Sequence, residues 1–333
     1  MRHRAVVIEK TGAARTLVLR DQPDVPPGAD DVVIDVKYSG VNFADIMMRL
    51  GLYSDAPPRP FVPGYEVGGV IAEVGSNVTQ VKVGDEVTAG CYFGGYSSRV
   101  TVPVGQVVPL SSKLDLKTAS AMPVAFFTAH VALNEMGRIR SGDKVLIEGA
   151  TGGVGTIAVQ LAKQVGAEVV GLTSSPSKLG YIEDLGATAF TREAFASAPG
   201  NDRFDFVLNA SGGLSVKDHL GRLGIAGRMV CIGLGAGIKD GKKNVIHLAK
   251  AFLQTPKISI FKMFDYNAGI FGLNVLHVLQ DPSWVARVTS AMVAAAEQGL
   301  TAHVSHVIPA EEVARAHEVL QTKQATGKVL ISW

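Results

Sequence analysis

Gly149-Ala150-Thr151-Gly152-Gly153-Val154-Gly155 sets four glycines on a short turn between the apolar run KVLIE and the segment TIAVQLAKQVG. Without a Cβ, glycine lets the backbone come close to an anion. Where such a turn opens a helix, free N–H groups and the positive end of the helix dipole favour a phosphate. Strand, glycine turn and helix in this order form a dinucleotide-binding pattern, in which the last glycine lets helix and strand pack closely. The chemistry indicated is the binding of a nicotinamide dinucleotide.

The next strand, AEVVGLTSSPSK, bears on which dinucleotide. An NAD site places Asp or Glu near its end for the ribose 2′-hydroxyl. Between Val169 and Leu179 there is neither. Thr173, Ser174, Ser175 and Lys178 stand there instead. Hydroxyls and an ammonium suit a 2′-phosphate, so NADP(H) is the expected cofactor. Two further segments should line it. Asn209, Ser211 and Gly212 lie at and just beyond the end of the strand FDFVLNAS, and Gly233 and Leu234 follow the strand in GRMVCIGL; ligands of open α/β sheets bind at the carboxyl ends of strands.

Other chemistries find little support. Cys91 and Cys231 are the two cysteines; they form no C-x-x-C zinc motif, and a reducing, cytoplasmic setting follows as the default. His303 and His306 make an H-x-x-H pair, but an odd separation on a strand directs them to opposite faces, so no metal site is expected. The 32 basic and 30 acidic residues leave a net charge of +2, which gives no footprint for nucleic acid. The N-terminal apolar run, Ala5 to Ile8, is too short for a signal peptide. No stretch reaches the roughly 20 apolar residues of a membrane span. A mean hydropathy of +0.23 fits an Ala- and Val-rich core, with room for an exposed apolar interface.

The elements that must position these groups fall into two domains, as 333 residues suggest. Up to about residue 110 the chain alternates β-branched runs (AVVIEK, TLVLRD, DVVIDVKYSGV, GGVIAEVG, GDEVTAG, SSRVTVP) with Gly- and Pro-rich turns, which predicts a barrel-like sheet. From near Met122 strands and helices alternate: Ile157, Leu161 and Val165 have helical spacing, and strands follow at AEVVGLT, FDFVLNAS and GRMVCIGL. That alternation predicts a parallel, doubly wound α/β sheet. The expected division is 1–122 and 260–333 for a mostly-β domain and 123–259 for the cofactor domain, the C-terminal strand GKVLISW rejoining the first.

GATGGVGTIAVQLAKQVGA, with GVNFADIMMRLGLY, VPGYEVGGVIAEVGSNV and VGDEV upstream, resembles the medium-chain dehydrogenase/reductase superfamily. More closely it resembles the zinc-independent quinone oxidoreductase branch, with the zeta-crystallin and vesicle-amine-transport proteins as relatives. The likeness runs over nearly the whole chain, and NAGIFGLNV resembles the vesicle-amine-transport subgroup. It implies a GroES-like substrate domain, a Rossmann domain and an active cleft between them. It also implies a homodimer joined at Rossmann sheet edges, with KISIFKMF as the edge strand. Zinc enzymes of the superfamily carry Cys where this chain has Gly40 or Val41 and His where it has Tyr65, and they carry four structural cysteines that this chain lacks.

Without a zinc Lewis acid, an activated acceptor is expected: a quinone or an α,β-unsaturated carbonyl as small-molecule substrate. Hydride on the β-carbon leaves an enolate that needs a donor and a proton. The resemblance points to Tyr53 as that donor, with solvent as the alternative, and to Asn42 and Thr128 beside the nicotinamide. Where relatives have a Tyr at the phosphate end this chain has Thr191, with Arg192 adjacent. Phe264, Tyr266 and Phe271 are read as core packing in preference to cleft lining. Two rival readings remain open: an enoyl or cyclising reductase of a biosynthetic pathway, and a non-catalytic NADP-binding scaffold at a membrane surface.

Overall fold

The computed structural model describes residues 2–110, 112–199, 202–233, 238–239, 242–243 and 256–333. In chain order the strands are β1 (Arg2–Ile8), β2 (Leu17–Pro23), β3 (Asp31–Val41), β4 (Glu66–Val74), β5 (Glu86–Gly90), β6 (Arg99–Pro103) and β7 (Val107–Pro109). There follow β8 (Lys144–Glu148), β9 (Glu168–Thr173), β10 (Thr188–Thr191), β11 (Phe204–Asn209) and β12 (Leu223–Cys231). The short β13 (Ile238–Lys239) and β14 (Lys242–Lys243) precede β15 (Gly269–Gly272), β16 (Val304–Pro309) and β17 (Lys328–Ser332). The helices used below are α1 (Phe43–Arg49), α2 (Leu116–Ser120), α3 (Pro123–His130), α4 (Gly153–Val165), α5 (Leu179–Asp184), α6 (Arg192–Ser197) and α7 (Gly213–Leu220). After them come α8 (Ile260–Tyr266), α9 (Pro282–Glu297) and α10 (Val313–Gln321).

The chain divides into two compact units, residues 1–124 with 276–333, and residues 125–275. In the first, a mostly antiparallel seven-stranded sheet runs β16-β17-β3-β4-β5-β7, with β6 also paired to β3. The last strand of the chain enters this sheet antiparallel to β3, with Leu330 opposite Gly40. Alternating β-branched residues explain its interior: Val32, Ile34, Val36, Val67, Ile71, Val87 and Ala89 bury one face into one core cluster. A second cluster gathers Val6, Ile8, Val41, Met48, Tyr65, Tyr96, Val329 and Ile331 under α10.

The second unit is a parallel six-stranded sheet in the order β10-β9-β8-β11-β12-β15. With β8 as the first strand this is the doubly wound dinucleotide-binding order. Its strands read as unbroken apolar runs because helices cover both faces; Val145, Leu146 and Ile147 of β8 are fully buried. Helix α4 ends at Gly166 in the left-handed region, φ +88°, a common helix stop.

Two expectations are corrected. KISIFKMF is not the edge strand: Ile260–Tyr266 is helical, and β15, at Gly269–Gly272, closes the sheet. The aromatic residues read as core are not core either: Phe264 is 81% exposed, and Tyr266 and Phe271 are also exposed.

Candidate active site

In the Rossmann-type unit the predicted cofactor segments converge on the carboxyl ends of β8, β9, β11 and β12. Gly149 turns the chain out of β8 at φ +73°. The Gly152 N–H closes the turn on the Gly149 carbonyl at 2.9 Å, and the Ala150 N–H holds it to β9 through the Leu172 carbonyl at 3.0 Å. Gly152 is the N-cap of α4 and supplies no side-chain cap to it, so the first-turn N–H groups of Gly153, Val154 and Gly155 have no capping side chain. A Cβ on Gly155 would lie 2.1 Å from the Gly149 oxygen, which makes glycine obligatory there. This is a backbone cradle suited to a pyrophosphate.

At the end of β9 the Thr173 hydroxyl faces the Thr151 hydroxyl at 3.2 Å and accepts the Ser175 N–H at 3.2 Å. The Ser175 and Ser177 hydroxyls are 2.9 Å apart. Ser174 is exposed. Partial burial lowers the Lys178 ammonium below its ordinary pKa. Thr191 caps α6 by accepting the Ala194 N–H at 3.1 Å.

The loop after β11 is tied down by its own residues. The Asn209 amide oxygen accepts the Gly212 N–H at 2.9 Å; its nitrogen donates to Ser215 at 2.8 Å and to His219 Nδ1 at 3.1 Å. Gly212 sits at φ +75°. The Glu148 carboxylate, the last residue of β8, accepts the Ala210 and Ser211 N–H groups at 3.1 and 3.0 Å. Arg192 approaches its other oxygen at 3.6 Å. Glu148 was not anticipated; the signal was a carboxylate ending a buried apolar strand immediately before the glycine turn. Gly233 leaves β12 where a Cβ would press on the Ala210 carbonyl at 2.8 Å. Thr128 is buried in α3. Leu234 lies outside the described residues.

In the GroES-like unit, Asn42 is the N-cap of α1, and its N–H donates to Asp45 Oδ2 at 2.8 Å. The Asn42 amide also meets a buried ion pair. The Lys328 ammonium donates to the Glu66 carboxylate and, at 2.7 Å, to Asn42 Oδ1, while Asn42 Nδ2 donates to Glu66 at 2.9 Å. The second Glu66 oxygen takes the Val124 N–H at 2.8 Å. A Cβ on Gly40 would fall 2.2 Å from Glu66 Oε1, so the carboxylate fills the space of a side chain at 40. Tyr53 follows α1 after Gly51, which sits at φ +70°. It is half-buried against the cluster that contains Tyr65, Met48 and Tyr96. Burial first, then Asp55, Asp45 and Tyr92, raise its pKa, and a hydrogen bond from Tyr65 lowers it.

Beneath α1 runs a buried polar chain that the sequence reading missed. Tyr96 donates to Asp45 Oδ2 at 3.1 Å and meets His317 Nε2 at 3.2 Å; Arg49 Nε donates to His317 Nδ1 at 3.4 Å. Arg49 also donates to the Gly12 carbonyl and to Gln321. Burial pushes Asp45 up to about 7 and His317 down to about 3. The two have opposite consequences for stability. Between about pH 4 and 6.5 the native Asp45 keeps a proton that the unfolded chain has released, so stability falls as pH rises. Over the same window the unfolded His317 takes up a proton that the native one refuses, so stability rises with pH. Asp45→Asn should therefore steepen the rise of stability with pH relative to the wild type, by up to about 1.4 kcal/mol per pH unit. His317→Gln should tilt the curve the other way. Urea denaturation at pH 4.5, 5.5 and 6.5 measures this, and curves parallel to the wild type would contradict it.

Among the described residues, no group of three or more His, Cys, Asp or Glu side chains could hold a metal ion, and no helix is long and apolar enough to cross a membrane.

Comparison with known proteins extends this picture. Residues 28–112 match the alcohol dehydrogenase GroES-like domain, and residues 153–268 match the zinc-binding dehydrogenase domain. The chain is 30% identical over 339 residues to the synaptic vesicle membrane protein VAT-1 homolog of Rattus norvegicus, covering 98% of this chain and 83% of that protein. It is 28% identical to quinone oxidoreductase-like protein 2 of Mus musculus, over 97% of this chain and 90% of that one. Among solved structures, the human VAT-1 homolog-like protein superposes with a TM-score of 0.85 at 26% identity, over 100% and 98% of the two chains. The CurK enoyl reductase superposes with a TM-score of 0.82 at 28% identity, over 99% of both.

Proposed function

The chain belongs to the medium-chain dehydrogenase/reductase family, and from that premise we propose that it reduces a quinone or an α,β-unsaturated carbonyl with NADPH by direct hydride transfer, without zinc. The observation that carries this reading is the glycine-rich turn at Gly149–Gly155 with no side-chain cap on the helix it opens, flanked at the end of β9 by hydroxyls and Lys178 with no carboxylate.

In this reading the N–H groups of Gly153, Val154 and Gly155 hold the pyrophosphate, on the turn formed by Gly149, Ala150, Thr151 and Gly152. Thr173, Ser174, Ser175 and Lys178 take the 2′-phosphate. Asn209, Ser211, Gly212, Gly233 and Leu234 line the cofactor, and Asn42 and Thr128 serve its nicotinamide end. Bound NADPH supplies the hydride. Lys328 and Glu66 fix the Asn42 amide, with both of its ends engaged. When hydride reaches the β-carbon of an enone, the double-bond pair moves towards oxygen as an enolate. The Tyr53 hydroxyl then gives its proton to the α-carbon, and its phenolate recovers a proton from water. Gly40, Val41 and Tyr65 provide no Cys or His for a catalytic zinc, and the space at Gly40 is taken by a carboxylate already bonded to Lys328 and Asn42.

Titration by NADPH and NADH fluorescence tests the cofactor assignment. A 2′-phosphate held by charge-assisted hydrogen bonds should make NADPH bind about tenfold tighter or more. Equal affinities would overturn the assignment of Lys178 and the β9 hydroxyls. The reading includes a cytoplasmic homodimer, supported by two unbridged cysteines and by exposed Ile260, Phe261 and Phe264 on α8, close in sequence to the closing strand β15. Those exposed side chains, with relatives named for the synaptic vesicle membrane, also favour a second reading as a non-catalytic dinucleotide-binding scaffold at a membrane surface. It predicts the same cofactor affinity and no turnover.

A further inference from the structure

Arg192 follows the last residue of β10, and in the register of the sheet Thr191 stands beside Thr173 at the end of β9. Its guanidinium approaches Glu148, which ends β8 on the other side of β9. Neighbouring strands lie about 4.8 Å apart, so an ion pair from β10 to β8 bridges the carboxyl end of β9. Thr173, Ser174, Ser175 and Lys178 follow one another there. A planar guanidinium therefore stands beside the hydroxyls and the ammonium for which a 2′-phosphate is the proposed ligand.

The pair with Glu148 does not use up the guanidinium. Arg192 Nη2 lies 3.6 Å from Glu148 Oε1, beyond hydrogen-bond distance. Arg192 Nε is buried, and among the described residues it meets no hydrogen-bond partner. The side chain is nevertheless 35% exposed. Glu148 is 2% exposed and is well supplied without the arginine. Its Oε2 accepts the Ala210 and Ser211 N–H groups at 3.1 and 3.0 Å and the Ser215 hydroxyl at 3.3 Å. A closed Arg–carboxylate pair draws in to about 2.7–2.9 Å and is often bidentate. Here the carboxylate is held by other donors, and the cation keeps donors to spend. Its planar fork matches two oxygens of a phosphate.

Resting on the reading of the β9 end as a 2′-phosphate site, we infer that Arg192 is a specificity-determining residue for the cofactor: its guanidinium leaves the long contact with Glu148 and closes on the 2′-phosphate through a forked pair of hydrogen bonds. The Ala210, Ser211 and Ser215 donors keep Glu148 in place, so the exchange strands no buried carboxylate. NADH has a neutral hydroxyl at that position and gains far less from a guanidinium. Arg192 also neutralises a carboxylate that would otherwise repel the phosphate. Contact and neutralisation both favour NADPH, and the test has to separate them.

Fluorescence titration with NADPH and with NADH is run on the wild type, Arg192→Gln, Arg192→Lys and the double variant Arg192→Gln/Glu148→Gln, with thermal melting to establish folding. Arg192→Gln should weaken NADPH binding by about tenfold or more, the worth of hydrogen bonds to a charged group, and leave NADH binding unchanged. Arg192→Lys keeps the charge but loses the fork, so its NADPH affinity should fall between the two. The double variant should remain weak for NADPH, because removing the Glu148 charge does not restore the contact. Three results would overturn the inference alone while the wild type still prefers NADPH: wild-type NADPH affinity in Arg192→Gln, equal losses for NADPH and NADH, or full recovery of NADPH binding in the double variant. Should the glutamine variants not fold, Arg192→Lys decides: a loss confined to NADPH supports the forked contact, and wild-type affinity overturns it. Equal affinity of the wild type for NADPH and NADH would instead overturn the 2′-phosphate reading, and the inference with it.

Discussion

Gly155→Ala should lose tight NADPH binding, by about 10²-fold or more, while the corresponding change at Gly180 should leave it untouched. A Cβ at 155 would meet the Gly149 oxygen at 2.1 Å and the Ala150 Cα at 2.8 Å, both backbone. Neither atom can withdraw independently. Ala150 is tied to β9 through Leu172, Gly149 accepts the Gly152 N–H, and the preceding Glu148 is bonded to the loop after β11. Overpacking of this kind costs about 1–3 kcal/mol. Displacing two N–H donors from a charged phosphate forfeits about 1.5–3 kcal/mol each, and every 1.4 kcal/mol is about tenfold in affinity. Gly180, exposed in α5 with nothing within 4 Å of its would-be Cβ, should gain slightly from alanine, which favours helix by up to about 1 kcal/mol. Fluorescence titration with NADPH measures both variants. A Gly155→Ala protein that binds NADPH as the wild type does would show that the turn is not the phosphate cradle.

The second large effect concerns Tyr53. Tyr53→Phe keeps the ring against the cluster that contains Tyr65, Met48 and Tyr96 but removes the proton. Positioned general acids contribute about 10²–10⁴-fold, so kcat for an enone should fall by about 10²-fold or more with KM for NADPH unchanged. A quinone should be much less affected: its reduced oxygens take protons directly from water, whereas protonation at the α-carbon of an enolate is slow. The contrast between the two acceptor classes is the informative quantity. Equal losses on both would make Tyr53 a residue that shapes the pocket, and no loss on either would make water the proton source.

What the sequence disclosed and what it concealed divide along a physical line. The strand, glycine turn and helix were legible because their requirements are local: they lie in 22 consecutive residues from Lys144 to Val165. The return of GKVLISW to the first sheet was also readable, since an apolar run must find a partner. The segment KISIFKMF misled because a short apolar run does not distinguish helix from strand. Ile258 and Met263 pack into the core while Ile260, Phe261 and Phe264 face outward, and the strand position falls to Gly269–Gly272, whose glycines hide it. The Lys328–Glu66–Asn42 group was beyond local reasoning: its ammonium and carboxylate are 262 residues apart in the chain, brought together by β17 entering the sheet beside β3. The chain Asp45–Tyr96–His317 is hidden for the same reason, apart from the Asn42-x-x-Asp45 spacing, which is a capping-box pattern.

The central claim is direct transfer of hydride to an activated acceptor, and isotopic tracing tests it most directly. The enzyme is incubated with 2-cyclohexenone and NADPH deuterated at C4, in separate 4R and 4S preparations, and the product is read by mass spectrometry and NMR. Deuterium at the β-carbon of cyclohexanone from one of the two preparations, with the α-position filled from solvent, is the predicted result. Tight NADPH binding with no deuterium in product from either preparation, and no NADPH consumed with 1,2-naphthoquinone, would contradict it and leave a dinucleotide-binding scaffold in its place.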